Sequence, residues 1–174
     1  FHHHHRSLSR VPEDTAALQA YLDTLHTCAE TIRLKITCEI RSLLELETSP
    51  NDLAQPAKPP EPTAMEKAPL FRLYREVHQL LEHKSEAHFD QIGVLLREHA
   101  KDLDPVELHE ILKYMYNYGA KFVRNGDEIA LANKLHPFNT FAEQHGFFKQ
   151  KDVMTPTGFT NIVNVACAAK DFEW

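Results

Sequence analysis

The sequence predicts an all-α fold built from antiparallel helical hairpins. Three observations carry that expectation. Only 5 glycines stand against 10 prolines in 174 residues, so positive-φ turns are scarce and short-turned β architectures are disfavoured. Apolar residues recur at steps of three and four along most of the chain, the spacing that gathers them on one face of a helix. The joints between these runs are short and carry capping residues, as in Asp104-Pro105-Val106-Glu107.

The first run extends from Glu13 to about Thr48. Leu18, Leu22, Leu25, Ala29, Ile32, Ile36, Ile40 and Leu43 share one face, with no proline or glycine between them. Glu13 and Asp14 suit the positive end of the helix dipole. A helix of about 35 residues is about 50 Å long, so the region is expected to be one strut or a pair of helices. The stripe is heptad-like, but Lys35 and Glu39 interrupt the seam, and the face is therefore assigned to the core instead of a coiled coil.

Residues 1–12, opening on FHHHHR, are expected to be a flexible terminus or tag remnant, since adjacent histidines on an unanchored end lack the second shell of an evolved metal site. Residues 49–69 hold six of the 10 prolines; Pro59-Pro60 and Pro62 favour extended polyproline geometry, and a linker or long loop is expected.

Residues 70–174 read as a succession of helices. Leu70, Leu73, Tyr74, Val77, Leu80 and Leu81 form one stripe after Pro69, and Phe89, Ile92, Leu96 and His99 a second, starting near Ser85. Asp104 caps the third, whose core face is Leu108, Ile111, Leu112, Met115, Gly119 and Phe122, with a left-handed stop at Asn125-Gly126. Asp127 caps a fourth through Ile129, Leu131, Leu135, Phe138 and Ala142, closing at Gly146, with Pro137 expected to kink or restart it. Thr155-Pro156 opens the fifth, with Phe159, Ile162, Val163, Ala166 and Cys167 inward. Helices of this length on short turns pack as antiparallel neighbours, and Gly119 marks a close approach.

Composition narrows the chemistry. A net charge of -6 opposes a nucleic-acid surface, where affinity comes from Lys and Arg displacing counterions. No run approaches the roughly 20 apolar residues of a membrane span. Cys28, Cys38 and Cys167 form no CxxC; Cys28 and Cys38 lie about 15 Å apart along one helix, so the cysteines read as small buried hydrophobes in a reducing, cytoplasmic setting. His78, His83 and His88 recur every five residues, which on one helix turns successive rings away from each other. Neither a GxSxG elbow, a phosphate-binding GxxxxGK[ST] nor a GxGxxG is present. Catalytic, cofactor-binding and metal residues are accordingly assigned to none. Tyr114, Tyr116 and Tyr118 alternate within one helix, so some are expected to pack and others to reach solvent as an interaction surface.

These residues carry a resemblance. Leu80-Leu81, Leu103-Asp104-Pro105-Val106-Glu107, Asn117-Tyr118 and Asn125-Gly126, followed by Phe159, Asn161, Ile162, Val163 and then Asp171, Phe172 and Trp174, resemble the pattern of large bacterial tetratricopeptide-like (TPR-like) helical repeat proteins of uncharacterised function. AYLDTLHTCAETIRLKITCEI is similar to a segment preceding this region in the same proteins. Pro137 and the proline-rich stretch depart from the pattern. The resemblance covers most of the chain and implies hairpins stacked as an α-solenoid, with no catalytic residues to carry over.

The expected function is a non-enzymatic scaffold for protein–protein interaction, with partners unspecified and no membrane. Two other readings stay open. TGFTNIVNVACAAKDF is similar to the first helix of a pentatricopeptide motif, which implies RNA binding at one base per repeat. A metal-dependent enzyme would instead use the histidines. The last stretch, through Phe172 and Trp174, is read as the start of a second helix cut short, so that the chain is an internal fragment.

Overall fold

The computed structural model of the protein describes residues 11–47, 64–125, 129–151 and 153–170, with side-chain surroundings for 15–44, 65–119, 132–151 and 153–170. Six α-helices account for most of the described residues: α1 (Val11–Glu47), α2 (Pro69–His83), α3 (Glu86–His99), α4 (Pro105–Asn125), α5 (Ile129–Gln144) and α6 (Pro156–Ala169). A single 3-10 turn, Ala64–Lys67, precedes α2, and a two-residue ribbon, β1 (Lys149–Gln150) with β2 (Val153–Met154), precedes α6. Its strands are antiparallel, with Lys149 opposite Met154 and Gln150 opposite Val153.

Local chemistry sets the helix ends. Pro69 stands in the first turn of α2, where its missing N–H is no loss, and Lys84 ends that helix in the left-handed region at φ 51°, its N–H donating to Leu80 O. The Ser85 hydroxyl accepts from Ala87 N at 3.3 Å to start α3. Asp104 Oδ1 accepts from Val106 N at 2.8 Å to start α4, and Thr155 Oγ1 accepts from Gly158 N at 3.0 Å to start α6. The cap expected at Asp104 therefore forms, and the helices expected to start near Ser85 and at Thr155-Pro156 start there. The stop at Gly126 and the cap at Asp127 lie outside the described residues.

Each of α1, α2, α4 and α5 packs on the next helix; α4 also turns back onto α2, and α6 onto α4. The shared core contains Leu73, Tyr74, Leu80, Phe89, Ile92, Leu95, Leu96, Ile111, Leu112, Met115 and Phe148. It matches the stripes expected on α2, α3 and α4 closely. Phe122, Ile129 and Leu131 fall among side chains outside the description. Gly119 does mark a close approach: a Cβ there would stand 2.7 Å from Leu135 Cδ2. Gly93 is tighter still, with Phe138 Cζ 2.3 Å from where its Cβ would be.

Several expectations are corrected. Helix α1 is a single strut, but its apolar stripe is not in the core; Leu34 and Cys38 are buried instead. Tyr114, Tyr116 and Tyr118 are all buried, because α2, α5 and α6 cover α4 from several sides. On α6, Phe159, Val163 and Cys167 are exposed, while Ile162, Val165 and Ala166 point inward. Of the kink or restart expected at Pro137, the restart does not occur: α5 runs on through it. The end of the expected linker is packed: Met65 in the 3-10 turn is buried. The remainder of that linker, the histidine run and the segment Asp171–Trp174 lie outside the described residues.

Candidate interaction surface on the first helix

At 1.5 Å per residue the 37 residues of α1 extend about 55 Å. Among the described residues, the interactions that tie it to the other helices lie in its C-terminal half. Leu34 and Cys38, one turn apart, face α2, and the Cys38 thiol donates to Tyr74 O at 3.7 Å. Lys35 Nζ reaches Glu107 Oε1 on α4 at 2.6 Å, and Arg41 stands 3.9 Å from Glu82 on α2. Every described side chain from Thr15 to His26 is exposed.

The stripe read from the sequence lies on the far side. Ile36 is two residues from both Leu34 and Cys38, a rotation of about 200°, so the two sets occupy opposite faces. Leu18, Leu22, Leu25, Ile32, Ile36, Ile40 and Leu43 are each 49–58% exposed, and Ala29 is exposed beside them. Their spacing from Leu18 runs 4, 3, 4, 3, 4 to Ile36, the alternation that the core positions of paired helices show. Polar side chains off the stripe bond within the helix: Gln19 donates to Asp23, Arg33 pairs with Glu30, and the Thr24, Thr27, Thr31 and Thr37 hydroxyls bond carbonyls four residues back.

The histidines do not make a site of this kind. Helix α2 ends at His83, so His78, His83 and His88 do not share one helix, and the break at Lys84 brings the rings of His83 and His88 to 6.2 Å. Each faces a glutamate: His78 and His83 lie 3.7 and 3.9 Å from Glu82, and His88 Nδ1 is 2.8 Å from Glu76. Burial holds His78 below the ordinary imidazole range, against the opposing pull of Glu82. Arg75 joins Glu76 to Glu66, which makes this corner an ion-pair network between the 3-10 turn, α2 and α3. No group of three or more His, Cys, Asp or Glu among the described residues is placed to hold a metal ion. None of the described helices is long and apolar enough to cross a membrane.

The buried tyrosines are structural partners. Tyr116 donates to Asn139 Oδ1 at 2.7 Å, and Tyr118 donates to Lys84 O at 2.7 Å, holding the α2–α3 corner. Tyr116 also stacks on Phe147, at 5.0 Å between rings, and meets Phe148 edge-on. Burial raises the phenols of Tyr74, Tyr114 and Tyr116, so none is poised as a base. Of the cysteines, Cys38 is buried, with its thiol pushed up to about 12, while Cys28 and Cys167 are exposed.

The comparisons with known proteins add no assignment: no family model matches the chain, and neither a curated protein nor a solved structure matches it.

Proposed function

We propose that this protein is a non-enzymatic scaffold that binds other protein through the exposed seam of α1. The observation that carries this reading is the seam itself. Seven large apolar residues stay half-exposed on one straight face, while the same helix docks to the body through its opposite side. A contiguous apolar patch of that size marks an interaction surface far more often than bare solvent-facing helix. The helix also needs tertiary support. Isolated helices of a dozen residues are marginal in water, and every described side chain from Thr15 to His26 is exposed.

The remaining helices support the TPR-like reading of the body. Contacts of α2 with α4 and of α4 with α6, beside those between sequence neighbours, are what stacked hairpins make. In this reading α2–α6 are layers of an α-solenoid and α1 is the arm they hold out.

A photo-cross-linking residue at Leu25, with a control at exposed Glu98 on α3, tests the function in cells. A discrete protein adduct, another copy or a different chain, is expected from position 25 and not from 98. Absence of any adduct from position 25 would remove the reading.

A further inference from the structure

We infer that the occupant of the seam is α1 of a second copy, laid antiparallel. This rests on the interaction reading above and commits it to one partner.

The alternation of four- and three-residue steps from Leu18 to Ile36 suits a helix as the occupant, because the side chains of a partner helix interlock with that spacing over several turns. The residues then choose the direction. In a parallel pair every seam residue meets itself, so Glu39 would face the partner's Glu39 and Ala29 the partner's Ala29. The first sets two carboxylates together in an apolar seam, and the second leaves a gap. Antiparallel pairing about Leu25 and Ala29 removes both faults. Leu18 then meets the partner's Ile36, Leu22 the partner's Ile32, and Leu25 the partner's Ala29, a large residue on a small one at the centre. Glu39 falls opposite the partner's Thr15, at the open end where water reaches it. Along the flanks Gln19 faces the partner's Arg33 and Tyr21 the partner's Lys35, so no like charges are brought together there.

The fold leaves room for this arrangement. The body grips α1 on the side away from the seam, through Leu34, Cys38 and Arg41. Antiparallel pairing sets each body beside the bare half of the other arm, and the two bodies lie at opposite ends. In this register Leu18, Leu22, Leu25, Ile32 and Ile36 of each copy are covered; about half-exposed, they amount to roughly 450 Å² per copy, which with the flanking residues approaches the roughly 1,000 Å² in total expected of a specific interface.

The intact chain at 10 to 100 μM is measured by light scattering after gel filtration. Twice the chain mass is expected. Leu22→Asp/Ile32→Asp should give the chain mass, with dissociation at least 100-fold easier; both positions are exposed in the single chain, so an unchanged thermal transition of the body confirms that folding survives. Direction is read by oxidation with copper phenanthroline. In a Cys167→Ser background Cys28 lies beside the dyad and should link two chains. In a Cys28→Ser/Cys167→Ser/Leu43→Cys variant the new thiols lie at opposite ends and should not link, whereas parallel pairing would join them. A monomer at every concentration, a dimer that survives the double substitution, or efficient linking through position 43 would each overturn the inference. A monomer that still yields an adduct with a different protein from position 25 overturns self-pairing alone and leaves the broader interaction reading standing.

Discussion

The Tyr74 hydroxyl donates to Glu107 Oε2 at 2.5 Å, while Lys35 Nζ holds the other oxygen of the same carboxylate at 2.6 Å. One glutamate on α4 thus ties α2 and the arm α1 to a single point. Tyr74 is fully buried, and hydrogen bonds to charged groups contribute about 1.5–3 kcal/mol. Tyr74→Phe should therefore lower stability by about 1.5–3 kcal/mol in urea unfolding. Lys35 is a third exposed, and Lys35→Met should change stability by less than about 1 kcal/mol. Equal effects of the two would mean that the phenol is not the anchor.

Close packing of α3 on α5 gives a second prediction. Alanine favours a helix over glycine by about 1 kcal/mol, yet Gly93→Ala should destabilise by about 1–3 kcal/mol, because its methyl would meet the Phe138 ring, which Arg97 covers at 4.7 Å. Trimming the ring with Phe138→Leu should relieve the clash, so the double variant is less damaged than the sum of the singles. Strict additivity in thermal unfolding would contradict the contact.

His78 sets a pH dependence. Its folded-state pKa is below the ordinary 6.5, chiefly through burial, so the unfolded chain takes up the proton first. The resulting contribution is fully present above about pH 6.5 and is lost as pH falls from there toward the depressed value. Between pH 7.5 and 5.5 the wild type should lose more stability than His78→Gln. The same loss in both would show that this ring is not the sensor.

Much of the body was legible in the sequence, and the arm was not. Asp104-Pro105, Ser85 and Thr155-Pro156 act through local chemistry, so these helix starts could be read directly. The stripes of α2, α3 and α4 were legible because each helix has one dominant apolar face. On α1 the rule that the most apolar face turns inward failed. Among its described residues the docking face buries only Leu34 and Cys38, and it is completed by Lys35 and Arg41 reaching carboxylates on other helices, which no local pattern reveals. The heptad-like alternation from Leu18 to Ile36 was the available signal. On α6, apolar residues surround the helix, so Val165 could not be separated from Val163. The three tyrosines of α4 defied a one-face reading because that helix is covered on several sides.

Thiol reactivity follows from the same geometry. With the Cys38 thiol near 12, its thiolate fraction at pH 8 is about 10³-fold below that of an ordinary cysteine. Cys38 should label at least about 10²-fold slower than exposed Cys167 in the native protein, and at a similar rate once unfolded. Fast native labelling of Cys38 would mean that α1 lifts off α2.

Amide hydrogen exchange along α1 is the most direct test that this arm pairs through its seam. The account predicts slow exchange from Leu18 to Ile32 at 50 μM, faster exchange on dilution, and loss of protection in Leu22→Asp/Ile32→Asp, with α2–α6 unchanged. Exchange of that stretch at the rate of a free helix, at every concentration and in both proteins, would contradict it.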